Sequence, residues 1–116
     1  MKKDKFYKLI KKKEHGKQTR YSVLESYGYI DDVLKVAFSW EEKQFVATDI
    51  LTGLSVCSGY GETLEYHIKK FNESMIESLN NTRNCYYYDN FKRAFQVVLN
   101  SSEPLTERKL NNLLNN

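Results

Sequence analysis

The stretch 45–79, FVATDILTGLSVCSGYGETLEYHIKKFNESMIESL, limits the possible folds more than any other part of the chain. It reads as strand, tight turn, strand, glycine-bounded turn and helix. Phe45, Ala47 and Asp49 alternate with Val46, Thr48 and Ile50, the period of an extended strand, and the second set is the expected core face. Residues 49–53 carry turn chemistry, because an Asp side chain bonds the backbone ahead of it and Gly53 takes positive φ without a Cβ clash. A strand over 54–58 follows. Gly59 and Gly61 flank Tyr60 and end it, and Thr63 is the expected N-cap of a helix that begins at Leu64. From there Leu64, Ile68, Phe71, Met75 and Leu79 recur at spacings of 4, 3, 4 and 4, one buried helical stripe. Glu65, Lys69, Lys70, Glu73 and Glu77 fall outside it and face water.

The rest of the chain is placed against this unit. In 33–40, Leu34, Val36, Phe38 and Trp40 share one face and Lys35, Ala37 and Ser39 the other, which predicts a strand joined to the next by a polar hairpin connection over 41–44. In 19–29, Tyr21, Val23, Glu25 and Tyr27 alternate with Arg20, Ser22, Leu24 and Ser26, and Gly28, Asp31 and Asp32 make the following turn. The prediction is a four-stranded antiparallel meander over 19–58 with the main helix, 63–80, on one face. Residues 3–14 read as a basic helix, with Phe6, Leu9, Ile10 and Lys13 along one side and Gly16 as its C-cap, within a helix or arm spanning 1–18. Two short helices are expected over 86–114. Asp89 is the expected N-cap of the first, whose stripe is Phe91, Ala94, Phe95 and Val98, and Pro104 suits the first turn of the second, with Leu105, Leu110, Leu113 and Leu114. The fold class is α+β, in a single domain over 1–116.

The net charge of +3 conceals an asymmetry. Residues 1–20 hold nine Lys/Arg against Asp4 and Glu14, a net of +7, and the remaining 96 residues sum to −4. A basic segment on a mildly acidic body is the pattern of proteins that meet nucleic acid, or a partner already carrying it. The expected contacts are Lys2, Lys3, Lys5, Lys8, Lys11, Lys12, Lys13, Lys17 and Arg20, with Tyr21, Tyr27, Tyr29 and Tyr60 as a platform on which bases stack. The tyrosine run Tyr86, Tyr87 and Tyr88 serves core packing or, where exposed, is an aromatic anchor for a protein. No apolar run approaches the ~18 residues of a membrane span, and the lysine-rich start is not followed by the apolar segment of a signal peptide. A cytosolic protein without membrane contact is expected, and Cys57 and Cys85 fit a reducing compartment in which neither is obliged to pair.

Catalytic constellations do not emerge. Cys57 and His67 lie on packed neighbours without a third orienting group, no His or Cys recurs at metal-ligand spacing, and the carboxylates are scattered. TGLSVCSGYGET lacks both the P-loop lysine and the three-glycine dinucleotide spacing. No enzyme, metal or cofactor is expected.

Two likenesses bear on function. Trp40, the 45–49 strand, Thr52, Gly53, Gly59, Tyr60, Thr63 and Leu64 form a strand, a Thr-Gly turn, a strand and a Gly-aromatic-x-x-Thr helix start. This pattern over 40–64 resembles the AP2-like arm-binding N-terminal domain of tyrosine-family integrases. The resemblance implies a sheet that enters a DNA groove, whereas here Lys35 and Lys43 on those strands face Glu41, Glu42 and Asp49. In general character the chain is similar to the small anti-defence proteins of phages and mobile elements, anti-CRISPR proteins among them. Its Asn, Lys and Tyr content suits the AT-rich coding of such elements. That likeness implies a non-enzymatic inhibitor or regulator that binds a nuclease-type protein or ribonucleoprotein complex sterically. Direct DNA or RNA binding through the basic segment or the sheet is the alternative, and a small Cys/His enzyme a distant third.

Overall fold

The computed structural model describes residues 1–13, 16, 19–101 and 103–115. Its first element is not the basic helix expected from 3–14. Residues Lys2–Lys13 form a strand, β1, that pairs antiparallel with β2, Thr19–Asp31, from Lys2 opposite Ile30 to Lys13 opposite Thr19. Phe6, Leu9 and Ile10 are spaced as a helical face, and the strand puts Leu9 on the side opposite Phe6 and Ile10, so the lysines decide. A helix would set Lys8 beside Lys11 and Lys12 at i+3 and i+4, where like charges repel, whereas a strand sends successive side chains to opposite faces. Gly16, at φ 73°, lies in the turn between the two strands and caps no helix. His15 and Lys17 lie outside the described residues.

The sheet continues through β3 (Val36–Glu41), β4 (Gln44–Asp49) and β5 (Ser55–Tyr60), all antiparallel in the order β1-β2-β3-β4-β5. A two-residue strand, β6 (Leu105–Thr106), pairs with the start of β2. The four-stranded sheet expected over 19–58 therefore becomes a five-stranded meander with β6 beside it. Glu42 and Lys43, both at positive φ, make the two-residue β3–β4 turn, a form that matches the twist of the strands it joins.

The single long helix expected over 63–80 is two helices. Thr63 accepts from the Tyr66 amide and caps α1, Leu64–Ser74, and α2, Ile76–Arg83, follows after a break at Met75. Before the break, Asn72 Nδ2 donates to the Ile68 carbonyl at 3.0 Å and the Ser74 hydroxyl to that of Lys70 at 2.7 Å. Such side chains compete with the helical ladder for carbonyls. The stripe survives the break, since Leu64, Ile68, Phe71, Met75 and Leu79 all pack in one cluster.

Two C-terminal helices are present, α3 (Tyr88–Leu99) and α4 (Glu107–Leu114). Their starts differ from expectation. Asp89 lies inside the first turn of α3 rather than at its cap, because the helix begins at Tyr88, whose hydroxyl is anchored on Asp49. Pro104 precedes β6, where Leu105 is buried opposite Tyr21, and Thr106 caps α4 instead.

Two apolar clusters hold the helices to the sheet. Val36, Phe38, Phe45 and Ala47 meet Phe71 of α1 and Leu79 of α2, with Phe38 edge-on to Phe71 at 5.2 Å. Leu9 and Leu105 meet Ala94, Phe95 and Val98 of α3 and Leu110 of α4. The main core face of β4 is thus Phe45 and Ala47, not Val46, Thr48 and Ile50. The register sets Phe45 opposite Trp40 and Ala47 opposite Phe38, so these aromatics share one side. Among the described residues no helix is long and apolar enough to cross a membrane.

Candidate nucleic-acid interface

Alternation along β1 sends Lys3, Lys5, Lys11 and Lys13 to one face of the ribbon and Lys2, Lys8 and Lys12 to the other. Paired residues of antiparallel strands share a face, so the register adds Tyr29 opposite Lys3, Tyr27 opposite Lys5 and Tyr21 opposite Lys11 to the first, and Arg20 opposite Lys12 to the second. The lysines at 2, 3, 5, 11, 12 and 13 and Arg20 are exposed. Lys5 reaches Glu25 and Lys11 reaches Glu107, each at 3.8 Å between exposed side chains, contacts that water screens heavily.

Lys8 departs from the expected pattern. Only 14% of its side chain is exposed, and its Nζ lies 3.4 Å from Glu41 Oε1 and 3.5 Å from the Ser39 hydroxyl. Ser26 Oγ donates to the same Glu41 oxygen at 2.6 Å. The Ser26 hydroxyl first, and then Lys8, hold the Glu41 carboxyl below its usual range against the opposing effect of partial burial. Lys8 is therefore an internal partner of β3 and is not available to a ligand.

The four tyrosines do not form one platform. Tyr27, 62% exposed, and Tyr29 stand side by side on the open part of β2. Tyr21 is half-buried under the α3–α4 cluster, with Lys11 Nζ 6.0 Å from its ring centre. Tyr60, 75% exposed, sits on β5, three strands from β2. Tyr29 also borders a pocket of about 280 Å³ completed by Met1, Leu64, Glu65 and Ile68. This pocket is invisible in the sequence, since it depends on how α1 crosses the sheet.

A second polar assembly is buried. Asp49 accepts from the Leu51 amide at 3.0 Å and the Thr52 hydroxyl at 3.3 Å, as its turn position predicts. It also accepts from Arg83 Nη2 at the end of α2, at 3.0 Å, and from the Tyr88 hydroxyl at the start of α3. Arg83 Nη2 also donates to the Lys35 carbonyl at 2.9 Å. Burial first, and then the Asp49 carboxylate, push the Tyr88 hydroxyl well above the ordinary tyrosine range. With its carboxylate occupied by neighbours, Asp49 joins β3, β4, α2 and α3.

His67 and Cys57 do not show the arrangement of an activated pair. The His67 ring stacks on Phe45 at 4.8 Å, lies against Trp40 at 5.8 Å, and bonds the Gly61 carbonyl through Nε2 at 2.8 Å. Gly59 sits under the ring, where a Cβ would come within 2.8 Å of it. Burial pushes the Cys57 thiol up, the reverse of what a nucleophile needs. The tyrosine run divides, with Tyr88 buried while Tyr86, 92% exposed, packs edge-on against Tyr87 and Tyr87 against Phe91. Among the described residues no three His, Cys, Asp or Glu side chains are placed to hold a metal ion. No protein-family model, curated protein or solved structure matches this chain.

Proposed function

We propose that this is a non-enzymatic binding protein that engages a nucleic-acid-processing complex by laying the β1–β2 ribbon along a phosphate backbone. Such binding inhibits or regulates the complex sterically, in the manner of the small proteins that phages and mobile elements direct against nuclease complexes. The observation that carries the reading is the ribbon itself. It presents Lys2, Lys3, Lys5, Lys11, Lys12, Lys13 and Arg20 to solvent on a body whose other residues are net acidic. An antiparallel ribbon holds cations in rows, and each phosphate neutralised releases counterions and makes affinity fall with salt.

The test is binding of the purified protein to labelled DNA and RNA, single-stranded and duplex, across a salt series. Affinity should fall linearly with salt on logarithmic axes, and Lys11→Glu/Lys12→Glu/Lys13→Glu should weaken binding at least tenfold and flatten the slope by roughly two to three contacts. Absence of binding to every nucleic acid even at low salt would sink the reading.

A second reading, attachment through a protein surface alone, is favoured by the exposed Tyr86 and Tyr87, since aromatic side chains dominate interface energetics. Under it, Tyr86→Ala/Tyr87→Ala abolishes capture of a partner complex and the lysine variant leaves capture intact.

A further inference from the structure

The basic ribbon says phosphate, and the residues around its open end say more. Tyr27 and Tyr29 are two residues apart on β2, so their rings project from the same face about 6.6 Å apart along the strand. Directly across on β1 stand Lys5 and Lys3, with Cβ atoms about 5 Å from those of their partners. The result is two parallel rows, exposed rings on one strand and ammonium groups on the other. Helix α3 comes up to Lys5 through Phe95, Gln96 and Leu99, and α1 comes up to Tyr29, while Tyr27 between them stays 62% exposed. Stacking of base pairs in a duplex hides the flat faces that rings like these would take, whereas a single strand presents both its bases and its phosphates to such a surface.

The pocket beside Tyr29 sharpens the ligand. Its 280 Å³ falls just below the ~300 Å³ at which drug-sized sites begin, which suits one planar heterocycle. Leu64 and Ile68 give it apolar walls, and both also pack into the α1 cluster, so they are fixed in place. Among the described residues Glu65 is the charged side chain of its lining, with Met1 at its edge. An ionised carboxylate accepts hydrogen bonds and cannot donate them. It therefore favours a base with an exocyclic amino group, such as cytosine N4 or adenine N6, over thymine or uracil, which place a carbonyl oxygen there. Glu25, which pairs with Lys5, is the acidic group that a phosphate must displace.

We infer that the Lys3, Lys5, Tyr27 and Tyr29 surface binds single-stranded nucleic acid, with one amino-bearing base seated between Tyr29 and α1 and read by Glu65. The inference rests on the basic-ribbon reading and names its ligand. It is tested by fluorescence anisotropy with labelled strands of about 12 nucleotides, a length within the usual site sizes of single-strand binders. The strands are oligo-dC, oligo-dA, oligo-dT and oligo-rC, with a duplex of mixed sequence beside them. Oligo-dC and oligo-dA should bind roughly tenfold tighter than oligo-dT, and Glu65→Gln should bring the three toward parity. Tyr27→Ala should cost roughly tenfold on single strands and leave duplex binding unchanged. Tyr27 is exposed, so this variant folds, and its thermal midpoint checks that. Oligo-rC against oligo-dC decides between RNA and DNA as the source.

Equal affinity for dC and dT, a preference that survives Glu65→Gln, or duplex binding as sensitive to Tyr27→Ala as single-strand binding would each overturn the inference. The basic-ribbon reading would still stand if the lysine variant lost affinity for every strand. Failure of all the nucleic acids to bind would overturn both.

Discussion

Charged side chains on the β1–β2 ribbon and around Asp49 do opposite things. On the β1–β2 ribbon, lysines stand in water and their pairings, Lys5 with Glu25 and Lys11 with Glu107, are long and exposed. Around Asp49 the charges are inside, and Arg83, Tyr88, Thr52 and the Leu51 amide occupy the carboxylate. Exposed ion pairs contribute about 0–1 kcal/mol, so the ribbon's charges are nearly free to serve a ligand. A buried carboxylate that loses a partner leaves its neighbours unsatisfied, so Asp49 serves the fold. Position, more than residue type, separates a binding charge from a structural one. Substitutions in the two regions should therefore move different observables.

The largest effect belongs to Asp49→Asn. It preserves shape but withdraws the charge from Arg83 and Tyr88, and should lower the unfolding free energy by about 3 kcal/mol, at the low end for broken buried pairs because Arg83 keeps some contact with water. Chemical denaturation measures this directly. A folded Asp49→Asn protein with normal stability and lost nucleic-acid binding would invert the contrast between the two regions.

Next comes Tyr88→Phe, which removes the hydroxyl donated to Asp49 and should cost about 1.5–3 kcal/mol, as hydrogen bonds to charged groups do. It also carries a pH signature. The folded state holds the Tyr88 proton above the ordinary tyrosine range, so this contribution is complete below about pH 10. Above that pH the unfolded chain releases the proton while the folded one keeps it, and stability falls. The variant should lose this part of the alkaline decline, read as a flatter dependence of the thermal midpoint between neutral and strongly alkaline pH.

Much of the sheet-and-helix frame is legible in the sequence because it is encoded locally. Alternation marks the strands at 36–41 and 44–49, although 33–35 of the expected strand form a turn, Thr63 caps its helix, and the Leu64-to-Leu79 stripe faces the core even across the break at Met75. What escapes depends on partners far along the chain. Phe6, Leu9 and Ile10 are spaced as a helical face, and only the register with β2 settles β1 as a strand. The acidic Asp49 makes the Phe45 and Ala47 side of β4 look like the wetter one, since the groups that satisfy it, Arg83 and Tyr88, lie 34 and 39 positions away. The basic residues of the candidate site are plain from composition. Their pairing with Tyr27 and Tyr29, the withdrawal of Lys8 and the pocket at α1 all require the fold.

Lys8 is the ribbon lysine that behaves like the Asp49 group, and it sharpens the contrast from within one strand. Lys8→Met should cost up to about 1 kcal/mol of stability and leave the affinity for oligo-dC unchanged. Because the Glu41 carboxyl is held below its usual range, its contribution is present above about pH 4.3 and fades as the pH falls through the folded-state value. The Ser26 hydroxyl is the larger cause, so Ser26→Ala should flatten the acid limb of the thermal-midpoint profile more than Lys8→Met does. The reverse order would assign the lowering of the Glu41 carboxyl chiefly to the lysine.

The smallest change in stability should come from further along the same face of the strand and have the opposite sign. Lys12 stands directly across from Arg20, and like charges at paired positions destabilise a ribbon. Lys12→Glu replaces that repulsion with attraction and should raise the unfolding free energy by about 0.2–1 kcal/mol. The same substitution removes one phosphate contact and introduces a repulsive charge, so nucleic-acid affinity should fall several-fold and the salt dependence should lose roughly one contact. A variant that is more stable and binds less would separate ribbon from scaffold in one molecule. If Lys12→Glu weakened the fold instead, the cations at this end would be part of the structure, and the ribbon would resemble Asp49 more than it differs from it.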